Sequence, residues 1–328
     1  MIFKLNIFYD TGRSGSWLLA CGHNRIRSLL CLWIVLATFS ALAQDESPYL
    51  FVLGVAQDAG YPQAGCYAEH CLRGWENPDL RRHATSVALV IPRAEEVYLF
   101  EATPSLPEQL YRLRNEANFP LSGVFLTHAH IGHYVGLMFF GNEVMSANGM
   151  PVHVMPRMQE FLQTNGPWDQ LLTMNNISLR TMQDQHDVEI PQTTIRPFLV
   201  PHRDEYSETV GFRIKGPNRT ALFIPDINKW EDWETNIAEL IPEIDYAILD
   251  ATFFADGELG NRDMSQILHP FVSESMLLFD TLSDEDKNKI WFIHFNHTNP
   301  LLDENSKESQ FVRDQGYNIS AEGLRFPL

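Results

Sequence analysis

From about position 50 onward, short apolar, β-branched or aromatic runs alternate with polar stretches and with segments of helical spacing. Runs of this kind predict strands over Leu50–Val55, Ser86–Ile91, Val97–Glu101, Gly123–Leu126, Val152–Met155, Thr209–Ile214, Ala221–Ile224, Tyr246–Leu249 and Ile290–Ile293. Segments with apolar residues three and four apart predict helices over Pro107–Asn115, Met155–Thr164, Trp230–Leu240 and Pro270–Leu282. Strands interleaved with helices call for stacked α/β layers, because each sheet face needs a helical or sheet partner to bury it. No Pro/Gly/Ser-rich linker or fixed-period repeat cuts this region, so residues 44–328 read as a single domain.

The N-terminus follows a different pattern. Arg25 and Arg27 precede the apolar run Leu29–Phe39, which leads into Ser40-Ala41-Leu42-Ala43. A basic start, a short apolar stretch and small residues at an A-x-A site describe a cleavable export signal, residues 1–43. The run is shorter than the roughly 20 residues needed to span a bilayer, so no stable membrane anchor is expected after cleavage. The expected location is periplasmic or secreted.

Charge narrows the partners. The whole chain carries a formal net charge of −18. Removing residues 1–43 takes away Lys4, Arg13, Arg25 and Arg27 against Asp10 alone, so the mature chain is more acidic still. Phosphate backbones need clustered Lys and Arg, and no such cluster occurs, which argues against nucleic acid and for a small-molecule substrate. Of four cysteines, Cys66 and Cys71 remain outside the signal, in GCYAEHC. They read equally as a small-loop disulfide or, with His70 or His83, as a structural zinc site, with free thiols the third option.

Several predicted strands end in residues able to bind a metal. Gly123–Leu126 runs into THAHIGH, with His128, His130 and His133; Ala221–Ile224 into Asp226; Tyr246–Leu249 into Asp250; Ile290–Ile293 into His294 and His297. Sites in layered α/β folds gather at the carboxyl ends of strands, so these donors belong to one place. In H-x-H two imidazoles project to one side, and a distant third is needed for a catalytic three-ligand shell with an open position. His202, after Leu199-Val200, is the natural supplier, with Asp226 bridging to a second ion held by His133 and His294. Asp250, His269 and His297 are further possible donors. Asp226 and His133 are the candidate catalytic groups, zinc the expected metal, and iron or manganese the alternatives.

THAHIGH followed in order by His202, Asp226 and His294 resembles the metallo-β-lactamase superfamily, whose usual motif is H-x-H-x-D-H. That resemblance implies a four-layer αββα sandwich with metals at one edge. GVAQDAGYPQAGC, FEATPSLPEQL and FIHFNHTNP are similar to the branch containing the B protein of pyrroloquinoline-quinone biosynthesis, over about Leu50 to Pro300. The resemblance makes His128, His130 and His202 ligands of a first metal, Asp226 a bridge, and His133 with His294 ligands of a second. The chain departs from the superfamily at Gly132, where the motif has aspartate, and from the branch at His297, where Asn is usual. A glycine offers no donor, so the second position is the weaker one unless Asp250, His297 or a water compensates. On this reading, Gly132→Asp raises second-metal occupancy.

No G-x-G-x-x-G, P-loop or G-x-S-x-G motif competes. The function expected is hydrolysis of an ester, thioester, lactone or phosphodiester by metal-activated water. A metal-dependent oxidoreductase or quinone-cofactor protein is the second reading, and a non-catalytic binding protein the third. Trp168, Tyr206 and Trp230 are candidates for a cleft wall but more ordinary as core, and Phe253–Asn261 is a candidate selectivity loop. Arg203-Asp204-Glu205 is either a solvated loop or support for His202.

Overall fold

Seven strands in the order β14-β1-β2-β3-β4-β5-β6 make one sheet of the computed structural model, and seven in the order β13-β12-β11-β10-β9-β8-β7 make the other. The first holds β1 (Tyr49–Gly54), β2 (Ser86–Ile91), β3 (Glu96–Phe100), β4 (Leu121–Phe125), β5 (Met150–Val154) and β6 (Ile177–Thr181), closed at its edge by β14 (Arg325–Pro327). The second holds β7 (Val188–Ile190), β8 (Thr193–Leu199), β9 (Val210–Lys215), β10 (Thr220–Ile224), β11 (Tyr246–Asp250), β12 (Ile290–Ile293) and β13 (Asn318–Ile319). The structure describes residues 47–260 and 262–328, so the expected export signal lies outside the described residues. Glu46–Leu328 forms one compact unit. Among the described residues no helix is long and apolar enough to cross a membrane.

Each sheet begins with antiparallel strands and passes to parallel ones: β3–β4, β4–β5 and β5–β6 in the first, β10–β11, β11–β12 and β12–β13 in the second. Parallel neighbours need a crossover, and helices such as Leu106–Glu116 and Val272–Leu278 occupy those connections. The central strands are apolar on both faces: Ser86–Ile91 is buried throughout. One face of the first sheet packs on helices and the other on the second sheet, the residue pattern of strands covered on both sides. Between the sheets, Phe100 and Phe125 of β3 and β4 meet Phe212 of β9, with ring centroids 5.2 and 5.9 Å apart. Phe100 also reaches Phe223 of β10 at 6.0 Å. Deleting one such ring costs about 3–5 kcal/mol, so this aromatic seam fixes how the sheets stack. The result is the four-layer αββα sandwich.

Two expected elements differ. Trp230–Leu240 is not one helix but a 3-10 turn, Trp230–Asp232, followed by the short helix Ile237–Leu240. The buried Trp230 ring donates from Nε1 to Ser275 Oγ (2.8 Å), and Asn236 caps the new start by accepting from Ala238 N. The expected helix Pro270–Leu282 shortens to Val272–Leu278, started by Glu274 Oε2 accepting from Phe271 N (2.8 Å). Cys66 and Cys71 form a disulfide, the first of the readings left open.

Candidate metal centre

The carboxyl ends of β4, β8, β10 and β12 converge at one edge of the sandwich. After β4 the chain turns at His130 into the four-residue helix Ile131–Tyr134, which brings His133 round beneath His128. That turn is stitched to the end of β3: Ala102 N donates to His133 O (2.8 Å) and Gly136 N to Ala102 O (2.8 Å). A Cβ on Gly136 would lie 2.2 Å from Thr103 O, so only glycine permits this approach.

Four donors form the tighter group. His128 Nε2 lies 2.8 Å from His130 Nδ1 and 3.2 Å from Asp226 Oδ2; His202 Nε2 lies 3.2 Å from each of the same two atoms. His130 Nδ1 and Asp226 Oδ2 are 4.0 Å apart. Ligands about 2.0–2.1 Å from a tetrahedral zinc stand roughly 3.3 Å from one another, so this spacing fits one ion. The far sides of two of the three rings are anchored: His128 Nδ1 meets Thr127 Oγ1 at 2.8 Å, and His130 Nε2 meets Glu205 Oε2 at 3.3 Å. Such outer partners set which nitrogen faces the ion. Glu205 thus takes the supporting role, Asp204 pairs with Arg157 (3.1 Å), and Arg203 lines the cleft.

Beside this group stand His133, His294, His269 and Asp250. His133 Nδ1 faces the fully buried Glu101 at 3.5 Å, and its Nε2 faces Asp226 Oδ2 at 3.6 Å. His294 Nδ1 meets Thr252 Oγ1 at 2.9 Å, which leaves Nε2 to point into the site. Buried His133 Nε2, Asp226 Oδ1 and His294 Nε2 make no hydrogen bond. Orphaned buried groups cost roughly 1–3 kcal/mol each, and a cation among them removes that cost. Asp250 is different. It accepts from His269 Nδ1 (2.8 Å), Ile227 N (3.1 Å), Thr252 N (2.9 Å) and Thr252 Oγ1 (2.7 Å), which fills the four lone-pair directions of a carboxylate. Its role is to hold the strand-end loops and His269, whose Nδ1 also lies 3.2 Å from Asp226 Oδ1.

The charges are arranged accordingly. Asp226 is buried, which by itself would raise its pKa, yet His202, His269 and the hydrogen bonds of His128 and His130 hold it well below the usual carboxylate range. Burial and the neighbouring His133 keep His128 far below the ordinary imidazole value. Burial also opposes a charge on His133, but Glu101, Asp226 and Asp58 outweigh it and lift the pKa to about 9.

His297 does not join this centre. It stacks toward His70 at 5.5 Å, in a separate group with Cys66 and Cys71, where His70 Nε2 is 3.5 Å from Cys66 Sγ. It is therefore no substitute for a missing carboxylate beside His133. His83 pairs with Glu322 instead (3.1 Å). Trp168 packs on Tyr134 and Tyr206 on Phe161, and Trp230 is core, so none of the three lines the cleft. Phe253 is buried against Phe271. The cleft over the donors has a volume of about 350 Å³ and is walled by Gln57, Asp58, Pro104, Ile131, Arg203 and His269.

Glu101 and Asp58 escaped the sequence reading. Both follow apolar strands, β3 and β1, so the same strand-end rule that picked out Asp226 applies to them.

The family model described as Beta-lactamase superfamily domain matches residues 97–295. Coenzyme PQQ synthesis protein B of Methylobacterium sp. (strain 4-46) is 22% identical over 303 residues, covering 84% of this chain and 99% of that protein. The crystal structure of Zn(2+)-bound PqqB from Methylobacterium extorquens superposes with a TM-score of 0.72 at 22% identity, over 85% of this chain and 100% of that one. A diphosphatase from the PhnP family gives 0.60 at 18% identity, over 86% and 97%.

Proposed function

The chain belongs to the beta-lactamase superfamily, and from that premise we propose that it is a metal-dependent hydrolase acting on a small ester-type substrate. The single observation that carries this reading is the group His128, His130, His202 and Asp226, three imidazoles and one carboxylate with their donor atoms facing one another in a buried pocket. Nitrogen donors joined by one carboxylate suit zinc, the finer part of the proposal. When bound there, a divalent ion supplies Lewis acidity and activates water at neutral pH.

The rest is done by the chain's own side chains. Asp226 stays ionised and carries its charge into the middle of the imidazoles, with Oδ1 left without a hydrogen bond to orient an incoming water. His133, gripped from behind by Glu101, presents Nε2 to the same space. Arg203 is the cationic side chain on the cleft wall and Ile131 an exposed apolar one, which favours a substrate with an anionic group beside an apolar one. A phosphodiester, or an ester or lactone bearing a carboxylate, meets both.

Zinc content and turnover of p-nitrophenyl esters and bis(p-nitrophenyl) phosphate, measured for wild type and His128→Ala, test the proposal. The expected result is loss of bound zinc at the first position together with turnover. Unchanged zinc and unchanged turnover in His128→Ala would overturn it.

A further inference from the structure

We propose that Asp58, on the loop after β1, is the carboxylate donor of the second metal position, standing in the space that a side chain at Gly132 would fill. This rests on reading the site as a metal centre and adds a ligand from outside the histidine cluster.

Asp58, His133 and His294 each offer one donor atom, and these atoms lie within 4.8 Å of one another. The Asp58 Oδ1 to His133 Nε2 distance is 3.9 Å. His133 Nε2 and His294 Nε2 are both buried and without a hydrogen bond, on residues 1% and 0% exposed. Asp226 Oδ2, 3.6 Å from His133 Nε2, is shared with the first group. The other carboxylates nearby are committed elsewhere: Asp250 has its four acceptor directions filled, and Glu101 faces the opposite ring nitrogen of His133. Asp58 is the one whose position fits the two unpartnered nitrogens.

The backbone is built to hold it there. Gln57 N donates to Phe295 O (2.8 Å), Phe295 N to Val55 O (2.8 Å) and Gly60 N to Gln57 O (3.0 Å). The loop bearing Asp58 is thereby tied to the residue after His294. Asp58 has φ 43 and His294 φ 71, left-handed conformations that are uncommon outside glycine, though aspartate enters them more readily than most residues. Gly132 completes the fit. A Cβ built there would lie 2.4 Å from Asp58 Cα and 2.5 Å from Asp58 Oδ1. Any residue larger than glycine would push Asp58 away, so the glycine that looks like a lost ligand in the motif is the opening through which the ligand arrives. This reverses the sequence expectation for Gly132→Asp, whose side chain would displace a carboxylate already in place.

The test is zinc stoichiometry and affinity by inductively coupled plasma mass spectrometry and competition with a chromophoric chelator. It is run on the whole chain without reductant, so that Cys66 and Cys71 stay paired and outside the count. Wild type should hold two zinc ions, and Asp58→Ala one. Asp58→Asn should keep two at saturation, with the second weakened by roughly tenfold or more. Gly132→Ala, which removes no donor, should also lose the second ion, and His133→Ala should match Asp58→Ala. The retained first ion shows in each variant that the fold survives. Two ions of unchanged affinity in Asp58→Ala, or one ion in wild type unaffected by His133→Ala, would overturn the assignment of Asp58 while leaving the first centre standing. No zinc at all in wild type would instead overturn the metal reading on which it rests.

Discussion

Glu101 is fully buried, sits at φ 79 and points its carboxylate at His133 Nδ1 from 3.5 Å. A lone buried carboxylate is costly, so its presence requires a partner that carries charge or delivers it. His133 is that partner: burial works against its protonation, and the nearby carboxylates, Glu101 first, overcome this to lift it to about 9. Glu101→Gln keeps the shape and removes the charge. The histidine should then titrate lower in metal-free protein, by NMR, and zinc affinity should fall by roughly 10–100-fold, the usual effect of losing a ligand's outer partner. An unchanged His133 titration would show that Glu101 is merely buried there. The histidines were legible because strand ends collect ligands and three in one short motif are conspicuous. Glu101 and Asp58 were less plain, since Glu101 fell inside its predicted strand and Asp58 stands four residues past the end of β1, and only folding brings the two against His133.

Strands β2 and β12 match their predicted spans, and the other predicted strands shift by a residue or two at an end, because unbroken apolar runs bounded by polar residues leave little choice. The strands missed are β6, β7, β8, β13 and β14, which cluster toward sheet edges, where polar residues such as Arg180, Glu189 and Arg196 blur the alternation. One half-buried position within an element carries a prediction of its own. His153 of β5 stacks on Phe125 of β4 with centroids 4.1 Å apart and planes within 10°. Burial, with Arg180 nearby, lowers its pKa from 6.5 to about 4. The unfolded chain therefore takes up this proton at a higher pH than the folded one. Its contribution to stability is complete above pH 6.5 and is lost as pH falls toward 4, up to about 3 kcal/mol. His153→Gln should flatten the fall in Tm across that window when compared with wild type, both in chelator. Parallel curves for the two proteins would show that the ring is solvated enough to protonate without cost.

At the scale of the whole molecule, the donors come from both sheets: His128, His130 and His133 follow β4 of the first, while His202, Asp226 and His294 follow β8, β10 and β12 of the second. An ion bound among them ties the two halves at the strand ends that follow the phenylalanine seam, and it binds the folded chain alone. At a thousandfold excess over its dissociation constant it stabilises by about 4 kcal/mol. A domain of this size loses roughly 2–4 °C of Tm per kcal/mol, so chelation should lower Tm by roughly 8–16 °C and zinc should restore it. Metal-free protein has compensations in the protonated His133 between Glu101 and Asp226 and in His269 between Asp250 and Asp226, both lifted to about 9. With a folded pKa near 9 against an ordinary 6.5, that gain is full below pH 6.5 and disappears as pH rises through about 9. The same proton must leave before His133 can donate to a metal, so it competes with the ion at low pH and ceases to at high pH. The difference in Tm between zinc-loaded and chelated protein should therefore widen from pH 6.5 to 9. A difference that narrows over that range would mean that His133 does not take part in binding, and no difference at any pH would mean that the two sheets are joined by their core alone.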